Sequence, residues 1–181
     1  MAKVKLSKAA YVERGYGQVE PNHLSARRNG QIYAQLPAKK EIEVLENGQF
    51  AKYDYANGEV NFTGAGEWML VLNEIKLYEP RQTDADFAMI RDNYVAAIYD
   101  ATGAAMKEGT VMVPRLLKTN VGDIFTTNMI NVAEPEVGAT LAPNAEGILD
   151  TAAEGAEMVW TVVKVYTMPD NQKGVKLQRT K

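Results

Sequence analysis

Three Asn-Gly dipeptides, Asn29-Gly30, Asn47-Gly48 and Asn57-Gly58, lie close together among short apolar runs. They constrain the fold more than any other feature. Both central residues of a type I′ turn need positive φ, which Asn and Gly tolerate best, and that turn matches the twist of paired strands. The spacing predicts strands over 31–36, 41–46, 49–55, 59–63 and 67–73, joined as a meander. A short antiparallel meander has two open edges, so closure into a small barrel or packing as a sandwich is expected.

The C-terminal third reads the same way, with strands over 124–127, 129–132, 158–167 and 174–178 and a Gly/Pro/Asn-rich connection through Pro135, Gly138, Pro143 and Gly147. The nearly continuous apolar run at 158–166 predicts a central strand buried on both faces. Pro169 and Asp170 suit the turn of a closing hairpin. Between these regions, 83–99 reads as a helix. Thr83 and Asp86 form a start resembling a capping box, and Phe87, Ile90, Tyr94, Val95 and Ile98 recur at helical spacing. A second reading makes 93–100 a strand that turns at Ala101-Thr102-Gly103 into 110–113, because β-branched and aromatic residues are dense there. A loose echo links the turn at 46–50 with that at 145–149. The fold class expected is mainly β: one or two small antiparallel β-barrel or sandwich modules, an extended N-terminal arm and one short helix. The body is 31–181. Two modules would be 31–80 and 104–181, linked by 83–100.

Residues 1–30 differ in character. Lys3, Lys5, Lys8, Arg14, Arg27 and Arg28 outnumber Glu13 and Glu20, and Gly15, Gly17 and Pro21 interrupt regular structure. Tyr11, Val12, Tyr16, Val19 and Leu24 make the segment more apolar than a solvating tail. It is expected to order against a partner, with Tyr11, Tyr16, His23, Leu24, Arg27 and Arg28 as partner-binding residues.

The chain is poor in reactive side chains, with no Cys, one His and two Ser in 181 residues. Thiol chemistry is excluded. A hydrolytic triad would need His23 with Ser7 or Ser25, and neither serine lies in a turn resembling Gly-x-Ser-x-Gly. His23 alone lacks companions for a metal site. The stretch 54–59 has oxygen ligands around Gly58 but not the alternating Asp/Asn pattern of a calcium loop, and reads as a hairpin turn. Asp84 and Asp86 diverge on a helix and read as capping residues. No cofactor or metal is expected. The net charge of −3 offers no positive field for nucleic acid, and no run has the length of a signal peptide's apolar region or a membrane span. The chain is expected to stay in, or assemble in, a cytoplasm.

The segments 46–53, 114–128 and 166–177 resemble small virion structural proteins of tailed bacteriophages, of the type that decorates or stabilises the capsid. That resemblance implies a non-enzymatic, β-rich protein in many copies on an icosahedral shell. Its partners would be the major capsid protein and copies of itself, and its place the virion, assembled in the host cytoplasm. A carbohydrate- or ligand-binding β module of a fibre or adhesin, stacking ligands on Trp68 or tyrosines, is the alternative. An enzyme using Asp and Glu alone, as glycosidases do, would need a paired-carboxylate signal that the sequence lacks.

Overall fold

Short runs rich in Val, Ile, Tyr and Phe favour a pleated, half-buried backbone. The computed structural model, which describes residues 15, 17–73, 88–99, 101–110, 112–168 and 173–181, is accordingly mainly β. In chain order the elements are β1 (Val19–His23), α1 (Ser25–Asn29), β2 (Ile32–Tyr33), β3 (Val44–Glu46), β4 (Phe50–Asp54), β5 (Glu59–Asn61), β6 (Met69–Val71) and β7 (Ala88–Ile90). A 3₁₀ turn (Arg91–Tyr94) leads to β8 (Val95–Tyr99), β9 (Ala105–Thr110), β10 (Leu116–Leu117), β11 (Ile124–Thr127), β12 (Thr140–Pro143), β13 (Leu149–Thr151), β14 (Trp160–Thr167) and β15 (Lys173–Arg179). No helix among the described residues is long and apolar enough to cross a membrane.

Two sheets dominate. A six-stranded sheet runs β1-β11-β15-β14-β12-β13, and a five-stranded sheet runs β2-β10-β6-β4-β5. Side-chain alternation gives the smaller sheet two apolar faces. The cross-strand set Phe50, Leu70, Leu117 and Ile32 packs with Phe125, Trp160, Val175 and Leu177 of the larger sheet. The opposite face, with Ala51, Met69, Val71, Leu116 and Tyr53, packs under Leu45 of β3 and Met89 of β7. The result is sandwich-like, with the five-stranded sheet in the middle and no closed barrel among the described residues.

The three Asn-Gly dipeptides share positive φ at glycine, 65° at Gly30, 91° at Gly48 and 66° at Gly58, but only Asn57-Gly58 closes a hairpin, β4–β5. Gly30 ends α1, and Asn47-Gly48 joins two strands that do not pair with each other, since β3 pairs with β7. The expected meander is therefore replaced by an order in which β10 sits between β2 and β6. Among the described residues the one α-helix lies at 25–29. The helix expected over 83–99 is absent from its described part: β7, the 3₁₀ turn and β8 take its place, and β8 pairs with β9 around a turn at 101–103. This follows the second reading, although β9 ends at Thr110 instead of running from 110 to 113. Thr83, Asp84, Asp86 and Phe87 lie outside the described residues.

The strand β14 is buried only in part. Trp160 and Val162 are inward, but past a register shift between Val162 and Lys164 both Val163 and Val165 are 39% exposed. The reason is coverage: β12 pairs only with Trp160 and Thr161, so the apolar run outlasts its neighbour. No strand forms at 129–132, where Ile130 makes a single bridge to Leu149. The echoing turns meet in space: Phe50 N–H donates to the Gly147 carbonyl at 2.6 Å and Gln49 Nε2 to the Glu146 carbonyl at 2.7 Å.

Candidate functional site

The segment from Gly17 to Gly30 is built into the body. Its strand β1 forms the edge of the six-stranded sheet, with Val19 opposite Thr127 and His23 opposite Ile124. The register shifts between Glu20 and His23, around Pro21, which an edge strand tolerates because its missing N–H breaks no ladder. Side chains fasten the strand further: Gln18 N–H donates to Asn128 Oδ1 at 2.7 Å, Thr127 Oγ1 to the Gln18 carbonyl at 2.6 Å, and Gly17 N–H to Glu46 Oε2 at 3.0 Å. Among the described residues, pairing with β11 begins at Val19, before the boundary drawn at residue 30.

Buried Asp123 secures the start of α1. Its carboxylate accepts the Ser25 amide at 3.0 Å, the Ser25 hydroxyl at 2.9 Å and the Asn120 amide at 2.9 Å, while Asn120 Nδ2 donates to Ser25 Oγ at 2.7 Å. A carboxylate is well placed at a helix start, where unpaired N–H groups need acceptors. Ser25 is therefore engaged with Asp123, and no Ser25–His23 hydrogen bond forms.

Of the six residues expected to contact a partner, four are described. Leu24 is buried in the main core beside Ala26, so its surface is used internally. His23, Arg27 and Arg28 are exposed. Tyr11 and Tyr16 lie outside the described residues. Arg27 and Arg115 line the rim of a recess of about 210 Å³ over Ile32, Leu72 and Leu117. Arg115, Asn120 and Asp123 are what the arm reading missed. All three fall within 114–128, a segment that supplies partners of 17–30 alongside Glu46 and Tyr166.

On the outer face of the larger sheet, Tyr166 reaches across Gly174 to the N-terminal strand. Its hydroxyl donates to Glu20 Oε2 at 2.8 Å and lies 2.9 Å from Thr126 Oγ1, which donates to Asn22 Oδ1 at 2.7 Å. Burial is the largest cause that raises the Tyr166 pKa above its ordinary value, outweighing the lowering by the Thr126 contact, and the hydrogen bond to Glu20 adds to the rise. A phenol with a raised folded pKa contributes stability that is complete below the unfolded value, about 10, and is lost as pH rises through the folded one. Tyr166→Phe should remove a phenolate that titrates above the ordinary range from an absorbance titration and cost about 1 kcal/mol at neutral pH, read by urea unfolding. A lost phenolate that titrates in the ordinary range would count against this contact.

Two other polar groups stand apart. At the β4–β5 turn, Asp54 accepts from the Asn57 side chain at 2.8 Å, the Asn57 amide at 3.1 Å and Asn61 Nδ2 at 3.0 Å. The Asn57 side-chain bond is the largest cause holding its carboxyl below the ordinary range. Among the described residues no group of three or more His, Cys, Asp and Glu is placed to hold a metal ion. At the seam of the two large sheets is a cleft of about 440 Å³ lined by Lys52, Trp68, Asp150 and Glu157. Lys52 Nζ lies 4.6 Å from the Trp68 ring centroid and 3.6 Å from Glu157 Oε2, and Trp68 also packs against the main core. No protein-family model, curated protein or solved structure matches this chain.

Proposed function

We propose that this chain is a non-enzymatic structural protein that binds an assembled protein lattice, of the tailed-phage capsid type, through the surface around α1. One observation carries the reading: a five-residue helix is anchored from within by Leu24, Ala26 and the Asp123 carboxylate while it displays Arg27 and Arg28 outward. Ordering a basic surface in advance lowers the entropy cost of docking, and charge complementarity selects an acidic partner face. A protein that binds only the assembled shell stabilises it by mass action. Cosedimentation with capsid shells tests this. The wild type should pellet with shells and stay in the supernatant alone. Arg27→Glu/Arg28→Glu, with an unchanged circular dichroism spectrum, should bind about tenfold or more weakly, since one decade corresponds to about 1.4 kcal/mol. Equal binding by the double variant would refute the assignment.

The Trp68 cleft favours the second reading, a carbohydrate- or ligand-binding module, because its volume lies in the roughly 300–1,000 Å³ range of small-molecule sites. Stacking a sugar on the ring face that Lys52 covers would first require displacing Lys52. A saturable change in tryptophan emission with cellobiose or chitobiose, abolished in Trp68→Phe, would favour this reading over the lattice one.

A further inference from the structure

The same dipeptide occurs three times in different surroundings, so the chain contains its own comparison of Asn-Gly chemistry. Glycine, lacking Cβ, leaves its backbone nitrogen the least obstructed route to the preceding Asn Cγ. Gly30 N–H is occupied as the cap of α1, donating to the Ala26 carbonyl. Gly48 N–H donates to the Val71 carbonyl at 3.0 Å, and Asn47 Oδ1 accepts the Asn73 amide at 2.7 Å. Gly48 is also buried against Thr127 and Met129. At the third site Asn57 and Gly58 are both exposed, a Cβ added at Gly58 would meet nothing within 4 Å, and no backbone turn bond engages its N–H.

We propose that Asn57 is a site of spontaneous deamidation that changes the charge of the β4–β5 turn with time. The Gly58 nitrogen attacks Asn57 Cγ and gives up its proton, the Cγ–Nδ2 bond breaks, and the nitrogen leaves as ammonia. Water then opens the cyclic imide to aspartate or isoaspartate. In net terms one amide and one water become one carboxylic acid and one ammonia.

The surroundings give the change a structural effect. Asp54 now accepts two hydrogen bonds from Asn57, and the new carboxylate would replace the Nδ2 donor with a like charge. Glu59 stands opposite Asp54 across the hairpin. Isoaspartate also routes the backbone through the side chain, which a four-residue turn cannot absorb without shifting Tyr55, 73% exposed beside it. The turn belongs to β5, the outermost strand of the five-stranded sheet, so the core need not open. This inference is independent of the lattice reading.

Peptide mapping by mass spectrometry, on full-length chain aged in warm, mildly alkaline buffer, tests it. The amide-to-acid mass gain should accumulate at Asn57 at least about tenfold faster than at Asn29 or Asn47, and the three rates should converge in urea, where local protection is lost. Asn57→Gln should abolish the earliest acidic species on anion exchange. Equal or faster gain at Asn29 or Asn47 in the folded chain, or an early acidic species that persists in Asn57→Gln, would overturn the proposal.

Discussion

Trp160→Ala is expected to destabilise the chain by about 3–5 kcal/mol, lowering the urea midpoint by about 1–5 M for a slope of about 1–3 kcal/mol/M. Trp160 is fully buried where the two large sheets meet. Its ring is edge-on to Phe125, 4.8 Å between centroids at 90°, and 5.8 Å from Phe50. Removing it leaves a cavity lined by both sheets and breaks two aromatic pairs worth about 0.5–1.5 kcal/mol each. Trp160→Phe is the informative companion. The indole N–H is buried without a partner, so phenylalanine keeps most of the packing and discards an unsatisfied donor. Its loss should be less than half that of alanine. A loss below about 1 kcal/mol for alanine would mean that the sheets are held elsewhere.

Gly147→Ala should be of the same order, although it adds only a methyl group. Gly147 has φ of 72°, and its carbonyl accepts the Phe50 amide. A Cβ there would fall far inside contact distance of the Phe50 carbonyl oxygen. The left-handed conformation costs about 1–2 kcal/mol, and forcing apart the turn and β4 adds about 1–3 kcal/mol. Gly122→Ala provides the control, with φ of 95° but open space around its Cβ position, and should lose only the conformational part, about 1–2 kcal/mol. Thermal melts of the two variants separate the contributions. Similar melts would show that backbone strain alone accounts for the Gly147 effect.

The strand character of this chain was legible because its turn residues and β-branched runs are local signals. Pairing was not, since β3 finds β7 and β10 enters between β2 and β6 through contacts between distant segments. Asn-Gly states only that a glycine will adopt positive φ. Whether that ends a helix, as at Gly30, or turns a hairpin, as at Gly58, is decided by what lies around it. The helical period at 83–99 misled for a related reason: Ile90 and Tyr94, four apart, both pack inward, but from a strand and a 3₁₀ turn. At the candidate site the basic residues were visible, whereas Asp123, 98 positions from Ser25, carries no local mark of its role.

The position of β15 dictates an order of events during synthesis. β15 lies between β11 and β14, and β1 waits on the far side of β11. Until residues 173–179 emerge, the nascent polypeptide holds two unjoined sheet fragments that lack Val175 and Leu177 beside Phe125 and Trp160. At roughly 5–20 residues per second, the interval between β1 and β15 leaving the ribosome is on the order of ten seconds. A ribosome stalled before β15 would release a product with an open seam, which makes truncation before residue 173 a direct route to aggregation.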